Sequence, residues 1–117
     1  MTAAPPVRSF PRSVRLLTGA DFKRVFADAR RERGRYLTVL YRSSDHPDAR
    51  LGLAVGKRQV RHAAGRNRIK RIVREAFRHR RTALPAVDII VLARTGAATS
   101  DRYALRAEMD RLLDRLN

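Results

Sequence analysis

The side chains of this sequence best suited to chemistry are guanidinium groups, and the chemistry open to them is holding phosphate. They are densest between Arg61 and Arg81, in RHAAGRNRIKRIVREAFRHRR. Placed on a helical wheel at about 100° per residue, Ile69, Ile72, Val73, Ala76 and Phe77 fall on one arc. Asn67, Arg68, Lys70, Arg71, Arg74 and Arg78 fill the opposite arc, where Glu75 is the one acid. The pattern predicts a helix with one buried face and one face of clustered cations. Like charges at i, i+3 and i+4 repel, so that face costs stability in the isolated chain. A polyanion relieves the repulsion, and A-form RNA or duplex DNA is the one the pattern points to. Ordinary solvated faces mix the two signs, and this one hardly does.

Other chemistries find little support. His46, His62 and His79 are scattered over a loop and the two ends of one helix, without the spacing of a metal site. The acids lie mostly in turns or on the last helix, with no pair in a shared environment. Gly52 and Gly56 are not followed by the Gly-Lys-Ser/Thr of a phosphate-binding loop. No catalytic residue and no metal ligand is assigned. The chain has no cysteine, which removes disulfides and thiol chemistry and points to a reducing compartment. No apolar run reaches the length of a membrane span, and the N-terminus lacks a signal-peptide core, so a cytoplasmic protein is expected. Net charge is +16, with 27 Lys and Arg against 11 Asp and Glu, well beyond what solubility asks for. Its 117 residues suit one domain.

The elements that must position these groups can be read in chain order. Residues 1–12 hold three of the five prolines and no hydrophobic period, which predicts an extended or mobile arm. Thr18, with Asp21 three residues on, caps a helix over about Asp21–Ala29 whose apolar stripe is Phe22, Val25, Phe26 and Ala29. Spacing alone makes those phenylalanines core. Arg30–Arg35 reads as a charged connector. Tyr36–Arg42 reads as a strand, with Leu37, Val39 and Tyr41 on one face and Tyr36, Thr38 and Leu40 on the other. Arg50–Val55 is a second strand, expected to pair with the first as an antiparallel hairpin. Its face of Gly52, Ala54 and Gly56 leaves room for a helix or an extended ligand. The run Val87–Ala93 is nearly continuously apolar and reads as a central strand buried on both faces. Arg94–Thr99 is expected to be a loop. The last helix, capped by Thr99 or Ser100, buries Leu105, Met109, Leu112, Leu113 and Leu116. Its exposed face mixes arginines with Asp101, Glu108, Asp110 and Asp114.

The string Gly65-Arg66-Asn67-Arg68-Ile69-Lys70-Arg71-Ile72-Val73-Arg74-Glu75-Ala76-Phe77-Arg78 resembles the signature of the protein component of bacterial ribonuclease P, whose RNR motif Arg66-Asn67-Arg68 matches. Phe10-Pro11-Arg12 and Arg15-Leu16-Leu17 leading to Phe22 and Phe26 are similar to that family's N-terminal segment. Arg50-Leu51-Gly52-Leu53-Ala54-Val55-Gly56-Lys57-Arg58 resembles its third-strand motif, with Gly56 where Ser or Ala is usual and Arg58 where a second Lys is usual. Leu84-Pro85-Ala86-Val87-Asp88 resembles the approach to its last strand.

The resemblance implies an α/β (α+β) two-layer sandwich similar to the second domain of ribosomal protein S5, in the order α-β-β-(β)-α-β-α. It implies a left-handed β-α-β crossover, where the general rule predicts a right-handed one. It further implies an endoribonuclease whose catalytic centre lies in a large RNA subunit. That RNA and its substrate hold Mg²⁺, and the protein, monomeric in a 1:1 complex, assists removal of the 5′ leader from precursor tRNA. Arg66, Asn67, Arg68, Lys70, Arg71 and Arg74 are then expected to face the RNA subunit. Phe22, Phe26 and Tyr41, with Lys57 and Arg58 at a basic rim, are expected to line a cleft for the single-stranded leader. Replacing Arg66 or Arg68 by Ala is expected to weaken RNA binding and leave folding little changed. A stand-alone RNA-binding or ribosome-associated protein of related fold is the alternative, and a nuclease acting without RNA a more distant one.

Overall fold

The computed structural model describes Arg15 and residues 18–116. The arm expected over residues 1–12 lies outside the described residues. Helix α1 (Gly19–Ala27) begins at Thr18, whose hydroxyl accepts from the Asp21 N–H at 3.1 Å while the Asp21 carboxylate accepts from the Thr18 N–H at 3.4 Å. This reciprocal capping box satisfies two of the amides that a helix start leaves bare. Burial pushes the Asp21 carboxyl up, but the Thr18 hydrogen bonds and nearby Arg50 and Arg24 hold it below its usual value.

The sheet has four strands: β1 (Arg30–Arg33), β2 (Leu37–Ser43), β3 (Arg50–Ala54) and β4 (Val87–Ala93). Their order across the sheet is β1-β2-β4-β3. The first two departures from expectation are here. Arg30–Arg33 is a strand, not a connector, paired antiparallel with β2. The strands β2 and β3 do not form a hairpin, because β4 lies between them, antiparallel to β2 and parallel to β3. The physical reason is the composition of β4. Apart from Asp88 it is apolar on both faces and so takes an inner place, leaving the Gly/Ala-bearing β3 at the end of the sheet. A parallel β3–β4 pair needs a long crossover, and α2 (Ala63–Arg80) supplies it.

Helices α2 and α3 (Arg102–Asp114) cover one face of the sheet. Ile69, Val73, Ala76 and Phe77 of α2 meet Leu105, Met109, Leu112 and Leu113 of α3 over Leu37, Val39, Ile89 and Val91. Sheet and helix pair are the two principal layers. On the opposite face α1 packs Val25 against Leu40 of β2 and Ile90 of β4, with Phe22, Ala29 and Leu92 around them. Thr95–Thr99, expected as a loop, is a short 3-10 turn, and Asp101 is the α3 cap, its carboxylate accepting from the N–H groups of Tyr103 and Ala104.

Two buried carboxylates fix the sheet. Asp88, 4% exposed within β4, accepts from Arg50 Nε and Nη2 of β3, both at 2.8 Å, which ties the parallel pair together in a two-pronged bond. That pairing also raises the Arg50 pKa. Glu108, expected on the solvated face of α3, is buried instead. Its carboxylate accepts from the N–H groups of Arg35, Tyr36 and Leu37 at 2.7, 2.7 and 2.8 Å, capping the β1–β2 turn. A Cβ at Gly34 would stand 2.4–2.8 Å from that carboxylate, so the turn needs glycine there.

Candidate RNA interface

Two basic surfaces result, one on each side of the sheet. The first is the outer face of α2. Its apolar arc is drawn under the core, and this turns Asn67, Arg71 and Arg74 fully outward and leaves Lys70 half-buried. Asn67, Arg71, Arg74, Glu75 and Arg78 line a shallow depression of about 390 Å³. Among the described residues, Lys70, Arg71 and Arg74 make no ion pair; the acids that α3 offers go instead to Arg80, which bonds Asp110 at 3.1 Å and also Asp114. Glu75 faces Arg106 of α3 at 3.7 Å. These three cations therefore carry charge on the outer side of α2 that no acid of the described residues offsets, the condition a polyanion relieves.

The two arginines of the RNR string behave differently from that group. Arg66 folds back over the helix start, Nη1 donating to the carbonyls of Val60 at 3.1 Å and Arg61 at 2.9 Å. Arg68 reaches across to the 3-10 turn, Nη2 donating to the carbonyls of Ser100 at 2.9 Å and Ala97 at 3.4 Å. Both side chains are half-buried and hold the ends of neighbouring segments in place. The expectation that their removal leaves folding untouched is therefore corrected. The helical wheel places Arg68 on the polar arc and Arg66 near the apolar edge at the helix start, but it does not show that loop carbonyls lie within reach of either.

The second surface is the sheet face under α1. Strand register sets it out in three rows: Arg42, Asp88 and Arg50; then Leu40, Ile90 and Gly52; then Thr38, Leu92 and Ala54. Helix α1 sits on the middle row. Phe22 is half-buried against it, and Phe26, one turn on, is 51% exposed. Beyond α1 the third row floors a concavity of about 580 Å³, lined also by Arg33, Arg35, Gly56, Gln59 and Arg94. Lys57 and Arg58 are exposed in the turn between two of its lining residues, Gly56 and Gln59.

Tyr41 does not join this groove. Alternation along β2 puts it with Leu37 and Val39 on the α2/α3 side, where its ring packs against the main core. Leu40 is the β2 residue beside Phe22. The structure thus sets Phe22 against this face, leaves Phe26 exposed one turn on and Lys57 and Arg58 exposed in the turn beside the concavity, and puts Tyr41 on the other face. The rim residues Arg33, Arg35 and Arg94 were not singled out from the sequence. The run Arg30–Arg35 carried the signal, but only its assignment as a strand and turn gives those side chains a direction.

Comparison with known proteins bears on both surfaces. The family model described as Ribonuclease P matches residues 10–117. The ribonuclease P protein component of Thioalkalivibrio sulfidiphilus is 44% identical over 110 residues, covering 94% of this chain and 92% of that one. That of Aliivibrio fischeri is 43% identical over 108 residues, 92% of each. Among solved structures, the RNase P protein of Staphylococcus aureus superposes with a TM-score of 0.81 at 30% identity, covering 89% of this chain and 98% of that one. The RNase P protein of Thermotoga maritima gives 0.78 at 30% identity, with coverage of 88% and 97%.

Proposed function

The chain belongs to the ribonuclease P protein family, and from that premise we propose that it is the protein subunit of a ribonucleoprotein that removes the 5′ leader from precursor tRNA in the cytoplasm. The outer face of α2, through Asn67, Lys70, Arg71 and Arg74, holds the RNA subunit. Arg66 and Arg68 brace that face from its two sides and offer their remaining N–H groups to the same RNA. The groove beside α1 takes the leader as a single strand. Phe22 and Phe26 stack on its bases, and Lys57, Arg58, Arg33, Arg35 and Arg94 donate to its phosphates. Stacking on an exposed ring tolerates any base, which suits leaders of differing sequence.

The bond-breaking chemistry is assigned to the RNA. Among the described residues no three His, Cys, Asp or Glu side chains gather into a metal-holding group; in this proposal Mg²⁺ belongs to the RNA and its substrate. What the protein contributes is counter-charge and position. Cations held on a rigid helix bring two polyanions together where Mg²⁺ alone would have to screen their repulsion.

The observation that carries this reading is the segregation of charge on α2: unpaired cations outward, acids confined to the α3 side. The test is cleavage of precursor tRNA by the matching RNA subunit at low Mg²⁺, with and without protein. Wild-type protein should raise the rate. The double variant Arg71→Ala/Arg74→Ala should bind the RNA subunit more weakly, with a shallower dependence on salt and an unchanged circular dichroism spectrum. Equal RNA affinity in wild type and double variant would remove α2 from the interface.

A further inference from the structure

Among the described residues two large hydrophobic side chains are conspicuously exposed, Phe26 at 51% and Tyr103 at 72%. The leader groove accounts for Phe26, and nothing above accounts for Tyr103. We propose that Tyr103, backed by Arg102, is a stacking platform for an unpaired base of the RNA subunit, extending the α2 interface onto the first turn of α3. The proposal rests on the assignment of the α2 face to that RNA.

The ring is held rather than free. Arg102 lies with its guanidinium carbon 4.9 Å from the ring centroid, and its Nη2 donates to the Tyr103 hydroxyl at 2.9 Å. Below the ring, the Asp101 carboxylate accepts from the Tyr103 and Ala104 N–H groups at 2.8 and 2.9 Å, which fixes the backbone of that turn. A cation against the ring and a locked backbone reduce the entropy lost when a base settles on it. The ring's high exposure leaves area for that base, and Arg102 supplies a charge for the adjoining phosphate.

Position supplies the second line of argument. Ser100, whose carbonyl accepts from Arg68 of α2, lies just before the α3 cap. Arg106, one turn beyond Arg102, faces Glu75 of α2 at 3.7 Å, and Glu75 lines the same depression as Asn67, Arg71 and Arg74. The Arg102 side therefore runs beside the cationic stripe of α2. An RNA seated on that stripe passes the platform within the reach of a nucleotide. Base stacking requires an unpaired position, because a base within a duplex has both faces covered.

The experiment uses the full chain and the matching RNA subunit, with affinity measured over a range of salt. Tyr103→Ala should weaken binding by roughly fivefold or more, leaving the slope of log affinity against log salt unchanged, since no phosphate contact is removed. Tyr103→Phe keeps the ring and loses only the Arg102–hydroxyl bond, so it should bind far closer to wild type than Tyr103→Ala. The chain has no tryptophan, so Tyr103→Trp introduces a single emitter, which should be quenched as RNA subunit is added. Wild-type affinity in Tyr103→Ala, or an unquenched Tyr103→Trp protein at saturating RNA, overturns the platform. Quenching by precursor tRNA and not by the RNA subunit overturns the choice of occupant. The Arg71→Ala/Arg74→Ala protein runs in parallel. If it binds normally, the α2 assignment fails on its own account; if it binds weakly while Tyr103→Ala does not, the platform alone fails.

Discussion

At the scale of single residues, the RNR string separates into side chains that face outward and side chains that brace. Arg68 donates to two carbonyls of the segment before α3, and a hydrogen bond from a charged donor contributes about 1.5–3 kcal/mol. Its half-exposed setting puts the expected loss in Arg68→Ala at the low end, about 1.5 kcal/mol, readable in urea denaturation without RNA. Arg71→Ala, with no partner to lose, should unfold at the wild-type urea concentration while still losing RNA affinity. Glu108 is the sharper case. Glu108→Ala strands three amides of the β1–β2 turn, and allowing for water reaching some of them the cost is about 3 kcal/mol. Thermal denaturation should show it as a large drop in midpoint. Glu108 also marks a limit of reading by sequence. Among Asp101, Asp110 and Asp114 it looks like one more surface acid, and only the arrival of the β1–β2 turn, more than 70 positions earlier in the chain, gives it a buried task.

At the scale of elements, periodicity served the helices well and the sheet less well. The α2 arc, the α3 stripe and the Thr18–Asp21 cap stand where the spacing put them, because each depends on residues within a turn or two of one another. Strand partners depend on distant segments. No local pattern says that β4, made after α2, enters between β2 and β3, or that Arg30–Arg33 finds an edge to pair with. Yet the strand alternation already held the correction of the leader groove, since it set Tyr41 and Leu40 on opposite faces. It follows that Phe26→Leu and Tyr41→Leu should differ. Phe26→Leu keeps much of the apolar volume of a half-exposed side chain, so stability should change by less than about 1.5 kcal/mol. It loses base stacking of roughly 1–3 kcal/mol, so affinity for precursor tRNA should fall while affinity for mature tRNA holds. Tyr41→Leu should leave the difference between the two tRNA forms unchanged and register only in stability. Binding titrations with both tRNA forms check the pair.

At the scale of the whole molecule, the net charge is +16, and among the described residues two separate surfaces stand out as basic, with the acids gathered mainly on the α3 side and in the β2–β3 loop. Such a molecule works against itself in dilute buffer. Its melting temperature should rise from low to physiological ionic strength, as the screening length falls toward about 8 Å, and the Arg71→Ala/Arg74→Ala protein should show a smaller rise. A scan of thermal midpoint against sodium chloride measures both.

The place of β4 in the sheet has a consequence for how the protein comes into being. As the chain leaves the ribosome, β2 and β3 emerge first and have no bonds to make with each other, since the strand that joins them is encoded after α2. The cationic helix is complete before β4, the strand that carries Ile89 and Val91 beneath its apolar arc, has been made. During that interval the nascent chain is a basic, half-amphipathic peptide in a compartment full of RNA. Both pairings of the sheet's centre therefore close late and together, when Val87–Ala93 clears the exit tunnel, and the core is completed only when α3 follows.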